Sequence, residues 1–119
     1  MSTEYSAKIA EILASTEERA GVVWSLQESD DLNVNLVQFT EAEGVGEHVN
    51  DEVDVLLVGV SGSGEVRING RLHCLSGGTL ILLPKGARRS THGISADFAY
   101  LTIHRRRGPL KIGIPRQET

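Results

Sequence analysis

The sequence predicts an all-β domain preceded by one short α-helix. From Gly21 onward the chain consists of short runs rich in β-branched and other apolar residues, separated by turn-forming residues at intervals of roughly ten. Short strands at this spacing are typical of a sandwich, a jelly roll or a barrel. The predicted strands are residues 22–26, 32–39, 53–60, 65–68, 72–75, 79–83 and 98–105.

The first segment has a helical periodicity instead. Tyr5, Ile9, Ile12 and Leu13 fall on one face within a run of good helix formers, which predicts an amphipathic helix over residues 3–15. A chain of 119 residues is long enough for one domain with its own core. We therefore assign residues 1–20 to the helix and its connector, and residues 21–119 to a single β-barrel.

Two further patterns support strands and a hairpin. Aliphatic residues alternate with asparagine over residues 32–36, as in a half-buried strand, whereas residues 80–83 are apolar throughout. Asn69 and Gly70 lie between two strand runs, and both residue types accept the positive φ of a type I′ turn. A tight hairpin is therefore expected at this pair.

Composition restricts the class of protein. The chain is 39% hydrophobic and 24% charged with a net charge of −4, which is ordinary for a folded domain. Its single cysteine, Cys74, cannot form an internal disulfide, and we expect it to fill a small space in the core. The sequence has neither a secretory signal nor the ~18 consecutive apolar residues of a membrane span. We expect a cytoplasmic protein without a membrane partner.

Charge is divided unevenly along the chain. Ten acidic residues and no Lys or Arg occur between Ala20 and Val66, while ten basic residues and one acid, Asp97, occur between Arg67 and Arg116. One interpretation is that the halves form facing sheets, or partner protomers, whose charges complement each other. The other is an anion-binding site built from the second half.

One motif in the second half suggests a specific fold. Gly78, five residues, Pro84, Lys85, Gly86 and two further residues lead to Arg89. This segment resembles the second motif of the cupins, in which Gly, five residues, Pro-x-Gly and two residues precede a metal-binding His. Here Arg89 takes the position of that His.

The first cupin motif is matched less completely. That motif is commonly His-x-His, three or four residues, Glu, six residues and Gly. His48 takes the first His position, Asn50 the second, Val55 the Glu position and Gly62 the glycine. The shorter spacing would place Asp54 at the Glu position and lose the match to Gly62. The order of the two motifs around the Asn69-Gly70 hairpin resembles a small single-domain (RmlC-like) cupin. The resemblance implies a double-stranded β-helix, the cupin or jelly-roll barrel, with degenerate metal motifs.

Cupins with four ligands hold a divalent metal that performs Lewis-acid or redox chemistry. Here Val55 offers no ligand atom, Asn50 is a poor ligand for transition metals, and a permanently cationic Arg89 would repel the ion. We therefore expect no cofactor. The alternative is a divalent metal held by a rescued set of His48, Asp54 and His92.

Arg89 provides the sharper hypothesis. A guanidinium projecting into the barrel requires a negatively charged partner, because an isolated buried charge is prohibitively costly. Asp54 and Glu52 are candidate internal partners. Otherwise a small carboxylate or phosphate ligand accepts hydrogen bonds from the Arg89 guanidinium, and His48 and Asn50 add further hydrogen bonds to that ligand.

Three functions compete at this point. The first is binding of a small polar or anionic molecule in the barrel. The second is an enzyme, either a metal-dependent oxygenase or isomerase or a metal-independent isomerase with His48 as the catalytic acid/base. The third is a structural or partner-binding module with a closed barrel.

The sequence also allows expectations about binding partners and about two further residues, His104 and Trp24. We expect a homodimer, because the apolar stripe of the helix and the open sheet edges need a cover. Nucleic acid is not expected, since Arg105, Arg106 and Arg107 have no aromatic residues among them. His104 is expected at the surface, and Trp24 in the core or at a dimer contact.

Overall fold

The computed structural model describes residues 5–106 as two antiparallel sheets preceded by one helix. The nine strands confirm the all-β prediction and the short helix before it. The elements in chain order are α1 Ile9–Ser15, β1 Gly21–Ser25, β2 Leu32–Phe39, β3 Gly44–Val49, β4 Val55–Ser61, β5 Ser63–Ile68, β6 Arg71–Ser76, β7 Leu80–Leu83, β8 Arg88–Gly93 and β9 Phe98–Arg105.

The strands are divided between the two sheets, and the chain passes from one sheet to the other through connections of at most five residues. Sheet A has the order β1-β2-β9-β4-β7, and sheet B has the order β3-β8-β5-β6. Strands β2 and β4 of the acidic half pair with β9 of the basic half, and β3 pairs with β8 in the same way. The two halves of the chain are thus interleaved within both sheets, which corrects the expectation that each half forms a sheet of its own.

The turns follow the glycine chemistry of the sequence. Asn69 and Gly70 have φ of 49° and 83°, as a type I′ turn requires, and Ile68 pairs with Arg71 across it. Gly62 joins β4 to β5 at a φ of 62°, and a Cβ there would lie 2.5 Å from Ser95 Oγ. These two turns connect the consecutive strands β4, β5 and β6.

Helix α1 is shorter than predicted. It contains seven residues, and Lys8 at its N-cap makes no side-chain capping bond. The backbone of Lys8 is extended, with φ of −93° and ψ of 97°, so the helix begins at Ile9 and does not reach Tyr5. Residues 3 and 4 of the predicted helix lie outside the described residues. Gln38 anchors the other end, because its side-chain amide donates to the carbonyls of Thr16 and Arg19.

The core lies between the sheets and is built from aliphatic residues and three aromatic rings. Phe98, Val66 and Leu75 are fully buried, and the Phe98 ring lies 5.1 Å from that of Tyr100 between ring centroids. Gly64 allows this packing, since a Cβ on it would lie 2.3 Å from Phe98 Cζ. The side chains leave part of the barrel unfilled, and that space is the candidate site.

The outer face of sheet A is also apolar. Two cross-strand rows run over it without a charged residue, as the pairing registers show: Val34, Ile103, Leu56 and Leu82 form one, and Trp24, Leu36, Leu101, Val58 and Leu80 form the other. We call these nine residues the outer apolar face. Leu80 and Leu82 are 61% and 50% exposed, whereas Leu36 on β2 is fully buried.

Two single-residue expectations are wrong. Cys74 is exposed instead of filling the core, because it points outward from β6 next to the inward Leu75. His104 is buried instead of exposed, with Nδ1 2.8 Å from the carbonyl oxygen of Arg105. The sequence position of His104 before a run of arginines did not reveal its orientation.

Candidate functional site

A cavity of about 190 Å³ lies between the two sheets. Gly21 and Val22 of β1 lie at its border, and Val22 is half exposed there. Both sheets contribute polar groups to its wall, with the strands β2 and β9 on one side and β3 and β8 on the other. The polar lining residues are Asn35, His48, Arg89, Thr91, Tyr100 and Thr102.

The rest of the wall is hydrocarbon. It includes Val55 at the position where the cupin motif has its Glu, and this side chain is 2% exposed. A carboxylate at this position would point into the cavity, and valine replaces it. Besides Val22 at the border, the apolar lining residues are Val37, Phe39, Val45, Val55, Leu57 and Leu83.

Arg89 is the charged residue of the wall in the part of the chain that the structure describes. It is 3% exposed, and its Nε–H donates to Nε2 of His48 over 3.0 Å. Nδ1 of His48 lies 2.9 Å from the carbonyl oxygen of Gly46, a group that can only accept. His48 therefore carries its proton on Nδ1 and is neutral, and its Nε2 lone pair is committed to Arg89.

The alternation of β8 determines which arginine enters the barrel. Arg89 and Thr91 point inward, while Arg88 points outward and lies 3.8 Å from the carboxylate of Glu47. Successive residues of a strand face opposite sides of the sheet, so only one of two adjacent arginines can reach the cavity. The sequence register assigned that position to Arg89, and the structure places it there.

A β-bulge brings His48 to the same wall. Val45 pairs with Thr91 and His48 pairs with Arg89, so three residue steps on β3 oppose two on β8. The extra residue of the bulge turns both Val45 and His48 inward despite their odd separation. Regular alternation would have placed one of them on the outer face.

Tyr100 and Thr91 form a second polar pair in the cavity. Both side chains are buried, at 3% and 6% exposure. Burial raises the pKa of the Tyr100 phenol well above its ordinary value of 10, and a smaller effect of the Thr91 side chain lowers it. The phenol is therefore neutral at physiological pH.

Asn35 of β2 faces the cavity, although its polar character suggested that it faces solvent. Asn35 Nδ2 donates to Asn33 Oδ1 over 2.8 Å and to Thr102 Oγ1 over 3.3 Å, and Ser25 Oγ donates to Asn35 Oδ1 over 2.6 Å. Leu32 and Val34 point outward instead, onto the outer apolar face and its border. The sequence did not reveal four lining residues, because a polar residue can face either a cavity or the solvent. These residues are Asn35, Thr91, Tyr100 and Thr102.

Two of the predicted site residues have other functions in the structure. Asn50 is buried but does not line the cavity, and its Oδ1 accepts from the backbone N–H groups of Glu52 and Val53 over 2.9 and 3.3 Å. Asp54 is exposed, and its Oδ1 accepts from the backbone N–H of Lys85 over 2.8 Å. Both contacts stabilise turns. Asn50 was expected to hydrogen-bond a ligand and Asp54 to pair with Arg89, and these contacts correct both expectations.

His92 lies on the other side of sheet B. Its Nε2 is 3.1 Å from Oε1 of Glu65 on the outer face, three residues beyond Arg89. His48, Asp54 and His92 are thus not brought together. Within residues 5–106 there is no group of three or more His, Cys, Asp or Glu side chains placed to hold a metal ion.

The donors of the cavity do not fit a cupin metal. Val55 has no ligand atom, Arg89 carries a permanent positive charge, and Nε2 of His48 is already an acceptor for Arg89. The rescued ligand set is therefore not assembled in the described part of the chain.

Comparison with known proteins gave matches among solved structures alone. No family model matches the chain, and no curated protein matches it by sequence. Among the similar structures are the TT1209 protein from Thermus thermophilus, with a TM-score of 0.74 at 17% identity, and a cupin-2 domain-containing protein from Shewanella frigidimarina, with 0.71 at 14%. KdgF from Halomonas sp. has a TM-score of 0.66 at 20% identity.

These alignments extend over most of each chain. They cover 88%, 84% and 71% of this chain, and 100%, 94% and 77% of the respective relatives. At such identities the likeness establishes the fold, a double-stranded β-helix. No helix within residues 5–106 is long and apolar enough to cross a membrane.

Proposed function

We propose that this chain, a small protein with the cupin fold, binds a small anionic molecule in its barrel, with Arg89 as the anchor. The observation that carries the proposal is a permanently charged guanidinium, only 3% exposed to solvent, in the wall of a cavity of about 190 Å³. In this proposal a fixed cation has taken the place of the family's metal ion.

The burial of Arg89 gives it the properties of an anion anchor. A charged group in a low-dielectric wall interacts more strongly with an opposite charge than the same group in water. The guanidinium has five N–H donors in a planar fork, and the bond to His48 orients that fork through Nε. A carboxylate or phosphate bound in the cavity would match the fork in both charge and acceptor geometry.

His48 acts as a positioning residue in this account. By accepting the Nε–H of Arg89 it fixes the plane of the guanidinium relative to the cavity, and Gly46 fixes the plane of the imidazole in turn. The same bonds count against His48 as a general base, because the lone pair that would take a proton from a substrate is already used. Nothing in the described residues favours the two enzymatic alternatives.

The closed-barrel alternative is disfavoured for a different reason. A structural module would fill its interior with side chains, and this barrel leaves a cavity with a charged group in its wall. The competing internal arrangement, in which Glu52 neutralises Arg89, stays a prediction. It differs from ligand binding in one respect, since it predicts that no added anion stabilises the protein.

The homodimer and the cytoplasmic location also stay proposals. We propose that a second copy covers the outer apolar face, because β4 and β7 contain the continuous apolar runs typical of strands that are buried on both sides. The face has no charge to attract a charged partner, and a twofold arrangement would place two equally apolar sheets together.

Thermal unfolding with small organic acids tests the proposed function. Carboxylates or phosphate should raise the Tm of the native protein in a saturable manner. The increase should disappear in Arg89→Met and persist in Arg88→Met, which removes the same charge from the neighbouring outward position. An equal shift in Arg89→Met, or no shift of the native protein with any acid, would overturn the proposal.

A further inference from the structure

We propose, on the basis of the proposed function, that the ligand is a monoanion with a hydrocarbon body: a short-chain aliphatic or aromatic carboxylate. Its carboxylate would lie at Arg89, and its carbon skeleton would pack against the apolar wall around Val55 and Leu57. The inference rests on the charge of the wall, the engagement of its polar groups and the size of the space.

The charge of the wall favours a single negative charge. Among the cavity-lining residues within 5–106, Arg89 is the one that carries a charge, since His48 is neutral as an acceptor and none of the others is Lys, Asp or Glu. Burying a dianion such as phosphate beside one cation would add excess negative charge to a low-dielectric space. A carboxylate brings one charge to one guanidinium.

The other polar groups favour a ligand without hydroxyls. Asn35 is already bonded to Asn33, Ser25 and Thr102, and Nε2 of His48 already accepts from Arg89. A sugar or polyol would bury several hydroxyl groups for which the wall has few uncommitted partners, and each unmatched group would weaken binding. Aliphatic or aromatic carbon has no such requirement.

The hydrocarbon part of the wall specifies what the body of the ligand contacts. Seven apolar side chains from five strands surround the space: Val22, Val37, Phe39, Val45, Val55, Leu57 and Leu83. Each methylene moved from water into this wall should increase affinity about fourfold. The increase should stop once the chain of the ligand exceeds the space of about 190 Å³.

Isothermal titration calorimetry with a homologous series provides the test. Acetate, butanoate, hexanoate and octanoate are titrated into the full chain, with hexan-1-ol as the neutral analogue of hexanoate and inorganic phosphate as the dianion. We expect affinity to rise about fourfold per methylene from acetate to butanoate and onward until the cavity is filled. Hexan-1-ol and phosphate should bind at least tenfold more weakly than hexanoate.

Two variants connect the result to the site. Arg89→Met should abolish the binding of every acid, while Arg88→Met should leave the series unchanged. Val55→Thr keeps the size of the side chain and places a hydroxyl in the wall, so hexanoate should lose several-fold in affinity while acetate is nearly unaffected. The second variant remains informative if Arg89→Met fails to fold.

The outcomes separate the two proposals. If phosphate or acetate binds in an Arg89-dependent way without a gain per methylene, the proposed function stands and the hydrocarbon body is excluded. If no anion binds to the native chain, both proposals are overturned.

Discussion

The Nε–H of Arg89 donates to Nε2 of His48 over 3.0 Å between directly paired residues of β8 and β3. Both residues occupy positions where a cupin would present metal-binding imidazoles. In this chain one imidazole orients a guanidinium instead. The first prediction concerns that bond.

His48→Ala should lower the free energy of unfolding by about 2 kcal/mol, because a buried charged donor loses its acceptor. Carboxylate affinity should fall several-fold as well, since the guanidinium is no longer held in one plane. Urea unfolding and calorimetry measure the two effects. His92→Ala, the same change on the outer face, should cost no more than about 1 kcal/mol, as expected for an exposed pair with Glu65. Equal losses in both variants would contradict the positioning role of His48.

A carboxylate supplied by the protein should compete with the ligand. Val55→Glu places an acid in the wall that contains Arg89, and we expect the affinity for carboxylates to fall at least tenfold, because the new side chain occupies the fork. Val55→Gln has the same shape without the charge and should retain more affinity. Combining Val55→Glu with Arg89→Met should destabilise the fold by about 3 kcal/mol or more, since the new carboxylate is then buried unpaired. Similar binding by the Glu and Gln variants would show that charge in this wall is unimportant.

Chelation should leave the protein unchanged. After dialysis against EDTA, elemental analysis should find well below one Fe, Mn, Ni or Zn per chain, and the Tm should stay the same. The reason is that Nε2 of His48 is committed to Arg89 and Val55 replaces the acidic ligand. Stoichiometric iron or manganese, with a lower Tm after its removal, would contradict this account.

Tyr100 should make stability sensitive to alkaline pH. Its pKa is higher in the folded protein than the value of 10 for an exposed phenol, so its contribution is complete below pH 10 and is lost as the pH rises above 10. Urea unfolding between pH 8 and 11.5 should show an additional loss of up to about 1.4 kcal/mol per pH unit relative to Tyr100→Phe. Parallel profiles for the two proteins would contradict burial of the phenol.

The outer apolar face should control oligomeric state. Leu82→Lys places a charge on that face at the edge strand β7, and light scattering at micromolar concentration should show a dimer become a monomer. Leu72→Lys is the matched control, because Leu72 is 47% exposed on the outer surface of sheet B. A native chain that is already monomeric, or a dimer that survives Leu82→Lys and dissociates with Leu72→Lys, would contradict the proposed interface.

Much of the fold was readable from local chemistry. The Asn69-Gly70 turn, the glycine at position 62 and the boundaries of β2 and β9 follow from residue preferences that act over a few positions. Strands β3 and β8 were missed, although they contain His48 and Arg89. Glycine, serine and charged residues dominate both segments, so their strand character comes from pairing with each other and with β5 and not from propensity.

The site was less predictable, for reasons of geometry. Motif register was enough to direct Arg89 inward, because alternation along a strand is a local rule. The inward position of His48 depends on the bulge opposite Thr91, and the inward position of Asn35 depends on which face of sheet A closes the barrel. Both depend on tertiary structure, which a single sequence does not display.

The most direct test of the central claim is the Arg89 Nε–H signal in a proton–nitrogen NMR spectrum. The signal is assigned by its absence in Arg89→Lys, and its bond to His48 should slow its exchange with water. Addition of hexanoate should move it along a saturable curve with the same Kd that calorimetry gives. If the signal does not respond while hexanoate is bound, or if hexanoate does not bind, Arg89 is not the anchor of an anion.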